Sequence, residues 1–293
     1  MKGRTLAQFA TVTLIWGSTW LVIKTQLGIV PPGWSVAYRF LVAGFAMLAY
    51  CLATGKSLRL GRQGHLFAMA MGVFQFAANF NLVYAAEQYV TSGLVAVAFA
   101  LLIVPNALLA WAALGQRVTP RFALGSVVGM AGVALLFWRE IAGAPMGGQV
   151  AFGLAMTLGS ILCASIANVM QATPLAQRMP PHGLLAAGFL YGAALNVVLA
   201  WSRFGPPVID PSPAYLLGVV YLAVVASCVA FLLYYDVIRV IGPAKAAYSS
   251  LLTPFIAMAL STAFEGYQWT VEAALGGILA IAGLWVALTS RRT

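Results

Sequence analysis

From Thr91 to Gly115 the chain reads TSGLVAVAFALLIVPNALLAWAALG, apolar and without a charge, with a single proline, Pro105, inside it. About 20 apolar residues are enough to cross a bilayer as a helix. This stretch constrains the fold more than any other feature. A backbone in lipid must satisfy its own hydrogen bonds, which leaves only helices and closed barrels. The pattern also returns. Between Val240 and Phe264, Gly242 is followed by Pro254, as Gly93 is followed by Pro105 (254 − 242 = 105 − 93 = 12). The two glycines and the two prolines are each 149 residues apart (242 − 93 and 254 − 105).

Composition agrees with a membrane setting: 62% of the 293 residues are hydrophobic and 8% are charged, against about 25% charged in a soluble domain. Ten apolar segments are predicted, at Thr5–Thr25, Gly33–Ala53, His65–Ala86, Thr91–Leu114, Pro120–Trp138, Gln149–Gln171, Gly183–Ser202, Ala214–Asp236, Ala244–Phe264 and Thr270–Ser290. They are too long and continuous for barrel strands. The expected fold is therefore an all-α integral membrane protein of ten transmembrane helices, in one multi-pass domain of the bacterial inner membrane. Lys2 and Arg4 ahead of the first segment resemble a signal peptide. That segment is too long for a signal and lacks a small-residue cleavage site, so it counts as the first helix.

The net charge of +10 does not point to nucleic acid, because the basic residues fall in loops between apolar spans. With the N-terminus cytoplasmic and the helices alternating, Lys2, Arg4, Lys56, Arg59, Arg62, Arg117, Arg121, Arg178, Arg239, Lys245, Arg291 and Arg292 are inside, and Arg139 and Arg203 are outside. This asymmetry places both termini in the cytoplasm. The acids lean the other way: Glu87, Glu140, Asp210, Glu265 and Glu272 are outside and Asp236 is inside. Lys24 and Arg39 fall within or at the ends of spans, and Lys24 is expected to snorkel to the outer surface.

The repeat extends beyond one proline. At the offset of 149, Pro31-Pro32 matches Pro180-Pro181 and Glu87 matches Asp236. At 151, Ala123-Leu124-Gly125 matches Ala274-Leu275-Gly276, and Ala131-Gly132 matches Ala282-Gly283. The chain is thus expected to divide into residues 1–138 and 139–293, two repeats of five helices. Five is odd, so the second repeat enters the membrane inverted, the construction of secondary transporters with a site near the midplane between the halves.

No triad, phosphate loop or cluster of ionisable residues suggests an enzyme. Cys51, Cys163 and Cys228 lie within apolar spans without metal-ligand spacing, and His65 and His182 sit at span edges, so no metal or cofactor is expected. The candidate substrate-binding residues are the polar and aromatic side chains inside spans. Trp16 lies too deep for an interfacial anchor, and Trp20 shares its helix face. Gln75, Asn79 and Tyr84 come from the third helix, Asn168 from the sixth and Tyr234 from the eighth. Tyr248, Ser249 and Ser250 come from the ninth, with Phe99 the repeat counterpart of Tyr248. Amides in a span are costly unless they face protein or water, although interhelical hydrogen bonding accounts for them equally well. Pro105 and Pro254 each remove a backbone hydrogen bond, and act either as hinges or as static kinks. Gly125, Gly129, Gly276, Ala280 and Gly283 allow close helix contact, either within the halves or between the protomers of a homodimer. No acid lies near the middle of a span, which argues against proton-coupled export of cations and favours neutral or zwitterionic solutes.

Several of these segments together carry a family resemblance: Ile15–Trp20 (IWGSTW), PPGWSVAYRF with Arg39, YAAEQYVTSGLVA, Pro105, Gly115–Thr119 (GQRVT) and the ALG…AG that closes each half. Over essentially its whole length the chain resembles the drug/metabolite transporter superfamily in its EamA branch, and is similar there to YddG-type aromatic amino acid exporters. Gln116 stands where the family usually has an acid, so that acid is not required here. The resemblance implies facilitated export of small metabolites, often amino acids, through a basket of helices closed by rocking of the two halves. The expected function is export of aromatic or large neutral amino acids. A broader metabolite or drug exporter of the same fold, or a membrane scaffold or receptor without transport, are the alternatives.

Overall fold

The computed structural model describes residues 3–24, 26, 28–90, 95, 98–136, 138, 142, 148–265 and 270–288, without the side chains of Trp20, Leu21, Lys24, Ser261, Phe264, Glu265 and Leu288. Gly93 and the charges Lys2, Arg139, Glu140, Arg291 and Arg292 lie outside the described residues, as do the Trp20 and Lys24 side chains.

Among the described residues the long helices are α1 (Gly3–Lys24), α2 (Pro32–Thr54), α3 (Gly61–Ala86), α4 (Ala98–Leu114), α5 (Pro120–Leu136), α6 (Gly148–Gln171), α7 (Pro181–Phe204), α8 (Pro213–Ile241), α9 (Tyr248–Glu265) and α10 (Val271–Leu288). Proline opens α2, α5, α7 and α8, where its missing N–H costs nothing because the first turn has no partner to offer. Glycine closes helices by taking up left-handed backbone: Gly55 ends α2 at φ 66°, and Gly242, at φ 86°, separates α8 from a short turn at Pro243–Ala246. The helix predicted to end at Asp236 therefore runs on to Ile241, because nothing interrupts it before that Gly-Pro pair. The next one begins at Tyr248 rather than Ala244.

Of these helices, α2, α3, α6, α7 and α8 are long and apolar enough to cross a membrane, while α4, α5 and residues 271–287 of α10 are shorter apolar helices. Large apolar side chains such as Phe45, Leu52, Trp111, Leu124, Leu217 and Trp285 point outward and are exposed, which suits a surface solvated by lipid. Inside, Phe40, Phe76, Phe189 and Phe231 form an aromatic core with ring centroids 4.5–6.3 Å apart.

The packing has an internal symmetry. The self-paired contacts are α2 on α7 and α5 on α10. The strongest of the other pairs come in twos: α3 on α7 with α8 on α2, α1 on α8 with α6 on α3, and α1 on α9 with α6 on α4. Exchanging each helix with the one five places later maps this pattern onto itself. Local irregularities repeat as well. α3 is π-helical over Gly72–Asn79 and α8 over Tyr221–Val229, segments that start 149 residues apart (221 − 72). Each helix that carries a mid-chain proline has an i to i−3 bond just ahead of it, Leu101 N to Ala98 O at 2.9 Å and Ser250 N to Ala247 O at 3.0 Å.

Small residues create the α5–α10 contact. A β-carbon at Gly132 would lie 2.5 Å from the Ala280 nitrogen, and one at Gly125 would lie 2.6 Å from the Gly283 oxygen. These glycines thus pack a helix of the first half on a helix of the second, backbone to backbone, and not helices within one half as expected, because their small faces lie on the seam between α5 and α10. Likewise α3 meets α7 where a β-carbon on Gly72 would lie 2.8 Å from Gly192 N.

Candidate functional site

A cavity of about 130 Å³ lies within the bundle. It is lined from α1 by Trp16, Thr19 and Ile23, from α2 by Arg39, and from α3 by Gln75, Asn79, Phe80 and Val83. Phe99 and Leu102 of α4 complete the contribution of the first half. The second half supplies Ala164 and Asn168 from α6, Phe231 and Tyr234 from α8, and Ser250 and Thr253 from α9. None of these described lining residues is an acid.

The π-helical turns shape the walls. A π turn widens the helix and frees carbonyls from the i to i−4 ladder. In α8 the Ala226 carbonyl accepts from the Trp16 indole N–H at 3.1 Å. That bond fixes the Trp16 ring, which also meets Tyr234 and Phe231 edge to face at 4.7 and 5.3 Å. In α3 the Phe76 carbonyl accepts from Asn196 Nδ2 at 2.9 Å, while Asn196 Oδ1 accepts from Asn81 Nδ2 at 2.6 Å. Gln75 and Asn79 sit on the π segment itself. Asn79 Oδ1 accepts from Ser160 Oγ at 2.6 Å and is thereby held in place. Gln75 Oε1 is buried and has no partner.

Around the prolines, a hydroxyl in one helix and a backbone N–H in the other replace the missing donors. Pro254 cannot donate to the Ser250 carbonyl, and Thr253 Oγ1 does so instead at 3.0 Å. The Leu101 carbonyl, deprived of a donor by Pro105, accepts from Val104 N at 2.9 Å. Next to Pro105, the fully buried Asn106 donates from Nδ2 to the Pro243 carbonyl at 3.0 Å, tying α4 to the turn that precedes α9.

Among the residues singled out in the sequence, Trp16, Gln75, Asn79, Phe99, Asn168, Tyr234 and Ser250 line the cavity. Three others do not. Tyr84 is buried beside Arg39. Ser249 is buried next to the Tyr234 hydroxyl. Tyr248, fully buried, shares a hydrogen bond with Ser126 of α5 at 2.9 Å and packs on Phe122 at 5.9 Å, away from the cavity. The lining residues that the sequence did not point to are Ile23, Val83, Leu102, Ala164, Phe80, Phe231, Thr19, Thr253 and above all Arg39. Arg39 could have been found as a lone charge well inside a span; the apolar lining residues carry no such signal.

Two segments, residues 4–138 and 151–289, each match the model of the EamA-like transporter family. Relatives span most of the chain. An uncharacterized inner membrane transporter of Escherichia coli K12, YedA, is 30% identical over 86% of this chain and 80% of its own. Protein PagO of Salmonella typhimurium is 24% identical over 97% of this chain and 92% of its own. The uncharacterized transporter YvbV of Bacillus subtilis is 20% identical over 99% and 93%. A solved crystal structure superposes with a TM-score of 0.81 over 100% of both chains, at 20% identity, which shows the fold alone. The chain belongs to the EamA-like transporter family, within the drug/metabolite transporter superfamily, and is a multi-pass inner-membrane protein.

Proposed function

We propose that this family member is a facilitated exporter of amino acids, aromatic or large neutral, similar in specificity to the YddG-type exporters, and that it works by alternating access around the cavity. The observation that carries this reading is the origin of the lining: both matched halves contribute to one cavity. A site shared by two halves changes its exposure when they rock against each other, as in other repeat-built transporters. The exchange symmetry of the helix contacts supports two five-helix repeats, residues 1–138 and 139–293. An odd number of helices then gives inverted topology, ten spans and cytoplasmic termini.

Trp16, Phe99 and Tyr234, with Phe80 and Phe231, supply aromatic walls that suit a large apolar side chain, and Gln75, Asn79, Asn168 and Ser250 supply neutral polar groups. Trp20, Tyr84, Tyr248 and Ser249 belong to the proposed site as its surroundings or as residues exposed in another state of the cycle. Pro105 and Pro254 act as hinges in α4 and α9, where the backbone ladder is already interrupted. With no acid among the described lining residues, the cavity favours amino acids over cationic drugs. The test is counterflow in proteoliposomes loaded with labelled phenylalanine, tryptophan, threonine or a sugar. Flux of the aromatic amino acids is expected, and failure of every amino acid to move would refute the assignment.

A further inference from the structure

A guanidinium in the interior of a membrane protein is costly unless it is paired. The unrelaxed cost of desolvating one ion is many kcal/mol, and the effective penalty is still several. Arg39 lies seven residues beyond Pro32, the first residue of α2 (39 − 32), about 10 Å along the helix at 1.5 Å per residue. It is 2% exposed and lines the cavity. Its Nε–H donates to Ser227 Oγ at 3.0 Å. Its Cζ stands 4.5 Å from the centroid of the Phe80 ring and 5.5 Å from that of Phe40. Nη1 is buried without a hydrogen-bond partner. The Ser227 hydroxyl, two ring faces and the neighbouring Tyr84 hydroxyl hold the guanidinium in orientation, but none of them is an acid.

A purely structural arginine would have its donors used up. Here Nη1 makes no hydrogen bond, and the side chain borders the cavity. The charge is also present in only one half. The position 149 residues after Arg39 is Gly188 (39 + 149), and a β-carbon there would run into Met71 and Phe76. The two-fold packing is therefore broken, at the cavity, by a single positive charge. The other polar side chains that line the cavity are neutral, among them Gln75, whose Oε1 is unpartnered, Asn79, Asn168, Tyr234, Ser250 and Thr253.

We propose that Arg39 is the receptor for the substrate's carboxylate, and that the cavity selects a monoanionic carboxylate on an aromatic or aliphatic body without requiring an amino group. One cation balances one negative charge, whereas a phosphate dianion would leave a net charge buried. A carboxylate in the cavity that reaches the Arg39 guanidinium gains charge-assisted hydrogen bonds, the strong kind, and relieves the cost of the unpaired charge. An ammonium group meets no acid among the described lining residues, only acceptors that any neutral group could use. This inference rests on the transport reading above and specifies which end of the substrate is recognised.

The test uses the full-length protein in proteoliposomes with labelled phenylalanine, challenged with 3-phenylpropionate, phenethylamine, phenylalaninamide and phenyl phosphate. Melting temperatures with each compound are measured alongside. 3-Phenylpropionate is expected to compete about as well as phenylalanine and to raise the melting temperature. Phenethylamine and phenylalaninamide, which lack the carboxylate, are expected to compete at least about tenfold more weakly. Arg39→Gln should abolish the carboxylate-dependent shift, and Arg39→Lys, which keeps the charge but not the fork, should recover part of it. If the amine and the amide compete as well as phenylalanine, or phenyl phosphate outcompetes the carboxylates, the inference falls while amino acid transport stands. If phenylalanine does not move but 3-phenylpropionate binds in an Arg39-dependent way, the amino acid reading falls and the carboxylate receptor stands. If no carboxylate binds or moves, both fall. Should Arg39→Gln fail to fold, the competition pattern of the unmutated protein decides alone.

Discussion

Gly132 of α5 and Gly276 of α10 face each other so closely that a β-carbon on the first would lie 2.7 Å from the carbonyl oxygen of the second, and one on the second 2.5 Å from the carbonyl oxygen of the first. In the repeat register Gly125 corresponds to Gly276 and Gly132 to Gly283 (125 + 151 and 132 + 151). The pair Gly132–Gly276 and the pair Gly125–Gly283 are therefore the same contact seen from either half, as expected of an interface on an internal two-fold axis. A valine at position 132 must push apart two backbones that no side-chain rotation can separate. Overpacking of this kind typically costs about 1–3 kcal/mol. Gly132→Val should lower the melting temperature in detergent by several degrees or abolish folding. Gly148→Ala, where a β-carbon meets nothing within 4 Å, should leave it unchanged.

The placement of Trp16 and Tyr248 separates substrate contact from packing. Trp16 lines the cavity and is fixed by Ala226 O, so Trp16→Ala should raise the apparent KM for an aromatic substrate by about tenfold. Tyr248 is bonded to Ser126 outside the lining. Tyr248→Phe should leave KM within a factor of two and cost about 1 kcal/mol of stability, the usual value of one buried hydrogen bond. Transport kinetics and thermal melts on both variants check this. Equal effects on KM would show that Tyr248 reaches the substrate.

Asn196 connects α7 to the π segment of α3 through Phe76 O and Asn81. Asn196→Leu removes both bonds and leaves a buried carbonyl without a partner. The expected loss is about 1–3 kcal/mol, seen as a lower melting temperature.

Glu87, just beyond the end of α3, has its carboxyl raised from the usual 4.5 to about 7 because burial disfavours the charged form. Its Oε1 has no hydrogen-bond partner. A folded-state value raised above the unfolded one means that the folded protein holds its proton more tightly. The associated stability is present at pH 4–5 and is lost as pH rises through about 7. The melting temperature should fall between pH 5 and pH 8, and Glu87→Gln should flatten that dependence. A wild-type profile that rises over this range would contradict the burial of the carboxyl.

Pro254 leaves the Ser250 carbonyl to Thr253 Oγ1. Pro254→Ala restores a backbone donor and straightens α9. If the bend serves alternating access, the maximal rate should drop with little change in KM. An unchanged rate would make the bend a static feature of the wall.

Most helix bounds were legible in the sequence, because the apolar runs and the Gly-Pro punctuation are one-dimensional signals. The continuation of α8 to Ile241 was missed because Asp236 looked like a span end, whereas Gln8 of α1 donates to its carboxylate at 3.2 Å and holds it within the helix. Trp16, Gln75 and Asn168 were identifiable as polar or aromatic groups too deep for an interface. Tyr248 had the same appearance, yet the rotation of α9 turns it toward α5, and helix rotation is set by neighbours that are distant in sequence. The π turns were invisible, since no composition marks them.

The sequence by itself determined that the chain is helical, bound to the membrane and internally doubled, because bilayer thickness, backbone hydrogen bonding and the 149-residue spacing of Gly and Pro leave few alternatives. It also placed one arginine, Arg39, inside an apolar run. Only the tertiary structure decided what that charge faces. Ser227, Tyr84, Phe80 and Phe40 surround it, and no acid joins them among the cavity's described residues. Whether a buried charge is neutralised depends on side chains within a few ångströms, and those come from helices far apart along the chain.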